Sequence, residues 1–373
     1  MTDDATFIPK DTGERQPTCR PRRPTRAVQV GRVQIGGQAP VAVQSMTCTR
    51  TGDAEATLQQ IRELASAGAD IVRVTVNDDA AAAALPRIVR EANMPLVADI
   101  HYDHKMALAA LHAGITKLRI NPGNIGGRDK VREVALAAAD RGVPIRVGVN
   151  RGSLHKRYRE LRQIDPAGAL VQSALDELEV LAAVGFFDVV VSLKSSEPHE
   201  VIEACRRFSR VSDVPQHLGV TEAGTLQAGT ARSTATLGVL LSEGIGDTLR
   251  ISLAADPVEE VKAAFHMLQA LGLRAGYARV VACPTCGRVE VDVMRLAAMV
   301  EELAKELPPD KVISVMGCIV NGPGEAKSAD LGIAAGKSKV AIYRQGELHR
   351  NIDKDDLEQV LRDEIARLRG LPQ

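Results

Sequence analysis

Three things are scarce in this chain of 373 residues: aromatic side chains, an excess of charge of either sign, and long apolar runs. Tryptophan is absent and aromatic residues make up 2% of the chain, which disfavours base stacking on single-stranded nucleic acid. Basic and acidic residues both number 47, so no net charge indicates a nucleic acid or a membrane surface as partner. No apolar run approaches the ~20 residues of a membrane span, and the N-terminus lacks the apolar core of a signal peptide. We therefore expect a cytoplasmic protein.

Cysteine is also scarce, with six residues, but three of them cluster near the C-terminal end. Cys283-Pro-Thr-Cys286 is a CxxC turn, and Cys318 follows within Met316-Gly-Cys-Ile-Val-Asn-Gly-Pro-Gly-Glu325. In a cytosolic chain, clustered thiols indicate a metal rather than disulfides. Tetrahedral zinc would need a fourth Cys or His. Three thiolates with a weaker fourth ligand favour an iron–sulfur cluster, and zinc stays open as the alternative.

Glu325 follows the Gly-Pro-Gly turn and could reach the same centre as the three cysteines. Alternatively it is a carboxylate in the first turn of a helix, where the helix dipole favours negative charge. Cys19, Cys48 and Cys205 are scattered, and we predict that they are ordinary small residues rather than ligands.

From about residue 28 to residue 271, short β-branched runs alternate with Ala/Leu/Glu-rich stretches of helical period. Two of these stretches, Ala54–Ala67 and Pro166–Val184, are each followed by glycine, which suits a helix C-terminus. Eight βα units predict the α/β class with a (β/α)8 TIM barrel, and a doubly wound open sheet is the alternative. The predicted strands are Val41–Met46, Ile71–Val76, Leu96–Ile100, Lys117–Asn121, Ile145–Val149, Val189–Leu193, Gln216–Thr221 and Thr248–Leu253.

The pattern divides the chain into four segments. Residues 1–26 are polar and predict a mobile N-terminal arm, residues 27–271 form the barrel, and residues 272–281 are a linker. Residues 282–373 predict a small α+β domain that carries the clustered cysteines. Its predicted elements are a helix over Val291–Leu307, strands over Val312–Met316 and Lys339–Tyr343, a turn at Gly346 and a charged helix over Lys354–Arg369.

Polar residues recur at even spacing near the predicted strand ends, so they point into one cavity at the barrel mouth, where such barrels carry their active sites. Five of them are cations, and crowding these costs several kcal/mol unless anions fill the site. Arg forks match phosphate oxygens, which predicts a small substrate with more than one phosphate. One or two of the arginines could instead make structural ion pairs. The candidates are Arg73, Asp99, His101, Arg119, Asn121, Arg146, Asn150, Ser192, Lys194, Glu222, Arg250 and Ser252.

Two of the mouth residues admit two interpretations each. Glu222, in Gly-Val-Thr-Glu-Ala-Gly, suits a general acid or base, or the counterion of a neighbouring arginine. His101 could donate a hydrogen bond to a phosphate or orient Asp99, or it could be an ordinary hydrogen-bonded histidine. The Gly-rich loop that begins at Asn124 is a weak phosphate-binding signal. Neither a dinucleotide fingerprint nor a P-loop motif occurs in the sequence.

Six segments resemble, in the same order, the bacterial 4-hydroxy-3-methylbut-2-enyl diphosphate synthases of the methylerythritol phosphate route to isoprenoids. The resemblance covers essentially all of residues 27–373, and the cysteine–glutamate segment is its most specific part. The segments are Val43-Gln-Ser-Met-Thr47, Arg119-Ile-Asn-Pro-Gly123, Gly219-Val-Thr-Glu-Ala-Gly224, Glu243-Gly-Ile-Gly-Asp247, Cys283-Pro-Thr-Cys-Gly-Arg288 and Met316-Gly-Cys-Ile-Val-Asn-Gly-Pro-Gly-Glu325.

The resemblance implies an oxidoreductase that opens the ring of 2-C-methyl-D-erythritol 2,4-cyclodiphosphate and removes one hydroxyl as water in a two-electron reduction. The implied product is (E)-4-hydroxy-3-methylbut-2-enyl diphosphate. Electrons would arrive singly from reduced flavodoxin or ferredoxin through a [4Fe-4S] cluster. The family also implies a homodimer in which the cluster domain of one subunit closes over the barrel of the other.

The family's functional residues map onto this sequence one by one. The implied cluster ligands are Cys283, Cys286, Cys318 and Glu325. The implied diphosphate-binding cations are Arg73, Arg119, Arg146, Lys194 and Arg250, with Asn150 and Ser252 beside them. The implied acid is Glu222, and Asp99 and His101 match a family Asp-x-His pair.

One departure stands out, because Cys48 occupies a position where the family usually has Asn. This puts a hydrogen bond from that side chain in doubt.

Two other classes of function remain open from the sequence alone. One is a non-redox barrel enzyme for phosphorylated or pterin-like substrates with a structural zinc domain. The other is a cluster-bearing sensor that binds a phosphorylated metabolite without converting it.

Overall fold

The computed structural model describes residues 19–120, 125 and 127–370. Its contacts divide the chain into two compact units, with the boundary along the chain between Arg274 and Ala275. Asn121 and the loop from Asn124 onward, both candidates from the sequence, fall largely outside the described residues, as do residues 1–18 of the predicted arm. Within the described part of the chain, no helix combines the length and the apolar character that crossing a membrane requires.

The first unit opens with a short antiparallel hairpin that the sequence pattern does not reveal. Strands β1 (Val28–Val30) and β2 (Val33–Ile35) pair around a turn in which Gly31 has a φ of 55°. Their buried side chains pack with apolar residues near the amino ends of the barrel strands, among them Ile71, Val97 and Val190. The hairpin therefore closes the end of the barrel opposite the mouth.

Residues 19–26 correct the prediction of an arm that is mobile up to residue 26. The Arg20 N–H donates to the Ser242 carbonyl at 2.8 Å, and Arg22 forms a 2.9 Å ion pair with the buried carboxylate of Asp247. Thr25 donates to the same carboxylate at 2.9 Å. These charged and backbone contacts hold the segment against the barrel, although its composition is that of a solvated tail.

Eight parallel strands follow the hairpin, with helices between them. The strands are β3 (Ala42–Met46), β4 (Ile71–Val76), β5 (Leu96–Ile100), β6 (Lys117–Ile120), β7 (Ile145–Asn150), β8 (Val189–Lys194), β9 (His217–Leu218) and β10 (Thr248–Leu249). The helices are α1 (Ala54–Ser66), α2 (Asp79–Glu91), α3 (His104–His112), α4 (Arg128–Ala139), α5 (Arg159–Ile164), α6 (Pro166–Ala182), α7 (Pro198–Val211), α8 (Leu226–Ser242) and α9 (Pro257–Ala270).

The strand order shows a closed ring rather than an open sheet. Each strand from β3 to β7 pairs with its successor in the chain, β10 pairs with β3, and β9 pairs with β10. A parallel bridge between Val191 and Gln216 joins β8 to the start of β9 and completes the ring. The TIM-barrel prediction is confirmed, and the doubly wound sheet is wrong because such a sheet would leave two unpaired edges.

The last two barrel strands are shorter than the sequence predicts. The ladder of β9 ends at Leu218 and that of β10 at Leu249, although the β-branched pattern continues for several residues. Beyond these points the backbone takes irregular partners: the Thr221 N–H donates to the Ser195 carbonyl at 3.1 Å. Glu222 then has a φ of 54°, a left-handed conformation that ends any extended strand.

The second unit is an α+β domain around a five-stranded sheet, with the strand order β11-β12-β13-β14-β15. The first three strands are parallel and the last three are antiparallel. Its elements are β11 (Arg279–Ala282), α10 (Val293–Ala304), β12 (Val312–Met316), α11 (Gly322–Ala326), β13 (Leu331–Ala335), β14 (Lys339–Arg344), β15 (Glu347–Asp353) and α12 (Leu357–Arg369).

The linker prediction is wrong at its C-terminal end. Residues 279–281, predicted as linker, begin β11, which pairs with β12 from Arg279↔Val312 to Ala282↔Val315. The strand lies at a sheet edge and is mostly half-buried or exposed, so its apolar signal is short. The unit has its own hydrophobic core, built from residues of α10, α12 and the sheet.

Candidate active site

A small cavity of about 180 Å³ lies at the carboxyl ends of the barrel strands. The nine substrate-binding residues that the family resemblance implies line it, together with Ser192, which the sequence also suggests, and Thr221, which it does not. The shared feature of the candidates is even spacing on parallel strands, which points their side chains inward. The lining residues predicted from the sequence are Arg73, Asp99, His101, Arg119, Arg146, Asn150, Lys194, Arg250 and Ser252.

The register of neighbouring strands explains why these side chains meet. Asp99 on β5 pairs with Arg119 on β6, and Arg119 pairs with Arg146 on β7. Asn150 at the end of β7 pairs with Lys194 at the end of β8. Because the strands are parallel and in register, polar residues at equivalent heights form rings inside the barrel.

Asp99 is the carboxylate that balances part of the cavity's positive charge. Its Oδ1 accepts from Arg119 Nη1 at 3.0 Å, and its Oδ2 lies 3.5 Å from both Arg73 Nε and His101 Nε2. Burial alone would raise the pKa of Asp99, but Arg73, His101 and Arg119 outweigh burial and hold it well below the usual range. Asp99 therefore stays ionised and orients its three neighbours.

Arg250 has a carboxylate partner outside the cavity that the sequence analysis missed. Glu260 on α9 accepts from Arg250 Nε and Nη2 at 3.0 Å each and also from the Leu253 N–H at 3.0 Å. Glu260 is only 3% exposed. A signal was present, since Glu260 shares the buried face of α9 with Ala264 and Met267 at helical spacing.

Arg146 and Lys194 carry charge that the described residues do not balance. Arg146 is 1% exposed, and its Nε and Nη1 have no hydrogen-bond partner within the described part of the chain. Burial, followed by the repulsion of neighbouring cations, lowers the pKa of both groups well below their ordinary values. Buried donors of this kind are unfavourable until an anion accepts from them.

A second polar layer lies inside the barrel and was also missed. Gln44, Lys117 and His217 are each at most 1% exposed, and each has a side-chain nitrogen without a partner among the described residues. Burial, then Arg146 and Arg73, lowers the pKa of Lys117 well below the ordinary lysine value. Lys117 and His217 begin their strands and Gln44 is central in β3, positions where apolar side chains are expected, so only their polarity could have signalled them.

Glu222 lies outside the small cavity. It is exposed and lines a larger neighbouring cavity of about 710 Å³, together with Arg151 and Arg162. The two cavities share Asn150 and Thr221 as lining residues, so they adjoin. The left-handed backbone at Glu222 is uncommon for a residue other than glycine, and such conformations concentrate at functional sites.

The three clustered cysteines and Glu325 follow two adjacent parallel strands of the C-terminal sheet. Cys283 directly follows β11, and Cys318 follows the adjacent parallel strand β12. Glu325 lies in the first turn of α11 and is exposed. Among the residues that the structure describes, no three His, Cys, Asp or Glu side chains gather closely enough to hold a metal. All six cysteines are free thiols.

The surroundings of the thiols nevertheless fit a thiolate-bound metal group. The Gly317 N–H donates to Cys283 Sγ at 3.1 Å. The backbone N–H of Val320 lowers the pKa of Cys318, and the Asn321 N–H and the Arg288 side chain act in the same direction. Amide donors and a nearby cation stabilise thiolates, the form in which cysteine binds a metal. The donor set of three thiols and one carboxylate suits a cluster with one weaker ligand.

The fold and the site define a (β/α)8-barrel protein with a cation-lined mouth and a separate cysteine-bearing α+β domain. Two family models match the chain: the GcpE TIM-barrel domain over residues 25–265 and the GcpE protein C-terminal domain over residues 279–367. The chain therefore belongs to the GcpE family.

Curated relatives agree along nearly the whole length. The chain is 48% identical over 347 residues to a protein of Geobacillus kaustophilus, covering 93% of each chain. It is also 48% identical to a protein of Bacillus velezensis, covering 93% of this chain and 92% of that protein. Both relatives are named 4-hydroxy-3-methylbut-2-en-1-yl diphosphate synthase (flavodoxin). The family resemblance that the sequence motifs carry is thereby confirmed.

Solved structures of other families share the barrel. Dihydropteroate synthase from Stenotrophomonas maltophilia, with imidazole bound in its active site, superposes with a TM-score of 0.50 at 14% identity. The match covers 66% of this chain and 98% of that one. At this identity the likeness concerns the fold alone.

Proposed function

We propose that the protein is an iron–sulfur oxidoreductase that converts 2-C-methyl-D-erythritol 2,4-cyclodiphosphate into (E)-4-hydroxy-3-methylbut-2-enyl diphosphate. The observation that carries the proposal is a mouth with five cations against one lining carboxylate, in a chain whose relatives are named for this diphosphate product. The reaction consumes two electrons and one proton, opens the cyclic diphosphate by breaking a C–O bond, and releases one hydroxyl as water. Relatives named for flavodoxin support a one-electron carrier as donor.

The diphosphate is the part of the substrate that the barrel mouth binds. Arg73, Arg119, Arg146, Lys194 and Arg250 surround the small cavity, with Asn150 and Ser252 beside them. Phosphate oxygens would accept from the unpartnered Arg146 Nε and Nη1, which removes the cost of leaving these donors buried. Asp99 and His101 hold Arg119 in place, since both contact its Nη1 at 3.0 Å. Ring opening increases the negative charge of the diphosphate, so the uncompensated cations favour product formation as well as binding.

Cys283, Cys286, Cys318 and Glu325 are the residues that would hold a [4Fe-4S] cluster. When bound, such a cluster would supply electrons one at a time to a substrate whose reduction requires two electrons. The role of the chain itself is to present the thiols to a metal: the Gly317 N–H donates to Cys283 Sγ, and Val320, Asn321 and Arg288 lower the pKa of Cys318.

Glu222 is proposed as the acid that protonates the departing oxygen. Expelled hydroxide is a poor leaving group, and a carboxylic acid within reach makes it leave as water. Glu222 lines the large cavity that adjoins the diphosphate site, and its exposure lets solvent restore the proton after each turnover. The alternative, that Glu222 is the counterion of an arginine, is not supported by the ion pairs of the described residues. In those ion pairs Asp99 pairs with Arg119, and Glu260 pairs with Arg250.

Flavodoxin or ferredoxin as electron donor, a homodimer and a cytoplasmic location complete the proposal. Free thiols and thiolate ligands both require a reducing compartment. Light scattering of the anaerobic holoprotein should give twice the 39.8 kDa mass of the chain. A monomer at assay concentration would contradict the dimer and leave the chemistry to be judged separately.

Metal analysis under argon tests the redox character directly. We expect a brown protein with about four irons and four sulfides per chain, and an absorption that bleaches on reduction. A colourless protein with stoichiometric zinc would contradict the proposal, because zinc has no redox chemistry.

A further inference from the structure

The end of the first barrel strand, β3, contacts two of the mouth arginines. This segment, Val43-Gln-Ser-Met-Thr47, is one of those that carry the family resemblance. Met46 Sδ accepts from Arg73 Nε at 3.1 Å and from Arg73 Nη2 at 2.9 Å. Arg250 Nη1 lies 3.5 Å from the same sulfur. One thioether thus joins guanidinium groups from β4 and from the chain just after β10.

The preceding residue supports Arg250 from the opposite face of the strand. Ser45 Oγ donates to Glu260 Oε2 at 3.3 Å, and Glu260 in turn accepts from Arg250 through two bonds. Because successive side chains on a strand point to opposite sides, Ser45 reaches the helix layer and Met46 reaches the barrel interior. Arg250 is therefore fixed from both sides by consecutive residues.

A thioether orients a guanidinium without neutralising it. Burial is the main reason that the pKa of Arg73 falls to about 10, and the group remains charged at neutral pH. A carboxylate in place of Met46 would pair with Arg73 and compete with phosphate for it. Sulfur is a weak, polarizable acceptor that occupies one edge of the guanidinium fork and leaves the opposite edge for an anion.

We propose that Met46 is a positioning residue for the diphosphate site, holding Arg73 and Arg250 so that their free edges face the phosphates. The inference rests on the proposed function, because it concerns the affinity of the same cavity for a diphosphate. The contacts of Met46 Sδ are with the two arginines, and the proposed role is therefore exerted through them.

Two substitutions distinguish a role of Met46 as a hydrogen-bond acceptor from a role in packing alone. Met46→Leu keeps the volume and the apolar character but removes the acceptor. Met46→Gln keeps an unbranched side chain of similar length and supplies an amide oxygen that accepts from Arg73. Met94→Leu is the matched control, because Met94 is a partly buried methionine at the margin of the barrel core. The probe is inorganic diphosphate, titrated calorimetrically into the anaerobic holoprotein, with KM and kcat for the cyclic substrate measured alongside.

Met46→Leu should weaken the binding of inorganic diphosphate and raise KM by about three- to tenfold, the effect of one hydrogen-bonding interaction, with kcat changed by less than about twofold. Met46→Gln should restore affinity to within about twofold of the wild type, and Met94→Leu should change nothing. The inference is wrong if Met46→Leu binds like the wild type, if Met46→Gln is no better than Met46→Leu, or if affinity falls only together with Tm. A wild-type protein that fails to bind inorganic diphosphate would overturn the proposed diphosphate site itself.

Discussion

Arg250 and Arg146 show two different arrangements of a guanidinium group at the barrel mouth. Arg250 is held by two bonds from Glu260, whereas Arg146 has two nitrogen atoms without a partner among the described residues. A structural arginine needs its charge satisfied within the protein, and a binding arginine keeps its charge for the ligand. By this criterion Arg146 contributes more to the capture of a diphosphate than Arg250 does.

Glu222→Gln tests the proposed acid. The amide keeps the size and hydrogen-bonding shape of the side chain but cannot donate the proton that turns the leaving hydroxyl into water. Turnover should fall by ~10² or more, with the cluster spectrum and diphosphate affinity unchanged. The measurement is steady-state kinetics under argon. Glu200→Gln is not a suitable control, because Glu200 is buried and Glu222 is exposed. Turnover at the wild-type rate would remove Glu222 from this role.

Lys117 gives a prediction about stability and pH. Burial lowers its pKa in the folded state, so over the range between the folded and unfolded pKa values the unfolded chain binds one proton more. The wild type therefore gains stability as pH rises, by up to about 1.4 kcal/mol per pH unit. Lys117→Met removes this dependence and should stabilise the protein most near neutral pH.

The measurement for Lys117→Met is denaturant unfolding between pH 7 and pH 10, with the exposed Lys130→Met as the control. The advantage of Lys117→Met over the wild type should be ~1 kcal/mol or more at pH 7 and should shrink as pH rises. A difference that is constant with pH would show that Lys117 is charged in the folded protein.

Strand-end parity was sufficient to predict the ring of substrate-binding candidates, because the period of a strand is two and the carboxyl ends of a barrel converge. Glu260 and Lys117 could not be found in the same way. Glu260 reaches the mouth from a helix, which no strand pattern reports, and Lys117 occupies an interior level where an apolar residue is the normal expectation. Their roles depend on contacts between elements distant in the sequence.

At the scale of elements, the Gly-Pro-Gly turn before Glu325 contains two glycines with different constraints. A Cβ at Gly322 would lie 2.3 Å from the Cβ of Ala334 on β13, whereas a Cβ at Gly324 meets nothing within 4 Å among the described residues. Gly322 therefore lets α11 pack directly on the sheet. Gly324 lies inside α11, where glycine is less favourable than alanine.

These two positions form a matched pair for mutation. Gly322→Ala should destabilise the C-terminal unit by about 1–3 kcal/mol through overpacking and should lower the iron content of the purified protein, since α11 carries Glu325. Gly324→Ala should leave both unchanged or stabilise the unit slightly. Thermal unfolding and iron analysis measure the two effects. Equal behaviour of the two variants would mean that α11 does not depend on this close contact.

Elements with strong periodicity were predicted well, and elements at edges were not. Strand β12 has the predicted bounds, and α6 ends within two residues of its prediction, before Gly185 with a φ of 76°. Strand β13 was missed because Leu-Gly-Ile-Ala-Ala lacks β-branched alternation, although all five residues are buried. Strand β15 was missed because its residues are almost all exposed and polar, as befits a sheet edge.

At the scale of the whole molecule, the two units have separate hydrophobic cores. If the barrel binds the substrate and the other unit binds the metal, as proposed, the two functions can be removed one at a time. Cys318→Ser should lose iron and turnover but bind inorganic diphosphate within about twofold of the wild type. Arg146→Met should keep its iron and lose at least about tenfold in diphosphate affinity, because hydrogen bonds to charged groups contribute ~1.5–3 kcal/mol.

The experiment pairs iron analysis with calorimetric titration of inorganic diphosphate on the same anaerobic samples. Arg146→Met is expected to fold, since the substitution removes a buried cation whose Nε and Nη1 have no described partner. Loss of diphosphate affinity in Cys318→Ser, with the fold intact, would place part of the diphosphate site outside the barrel and contradict the division of roles.

The central claim is the reductive conversion of a cyclic diphosphate, and product analysis under argon tests it most directly. Iron-replete protein, reduced flavodoxin and 2-C-methyl-D-erythritol 2,4-cyclodiphosphate are mixed, and the phosphorus species are followed by NMR. The account predicts many equivalents of (E)-4-hydroxy-3-methylbut-2-enyl diphosphate per chain, with none formed when the flavodoxin is oxidised. A cyclic substrate that stays unchanged in the presence of the iron-replete protein and its reductant would contradict it.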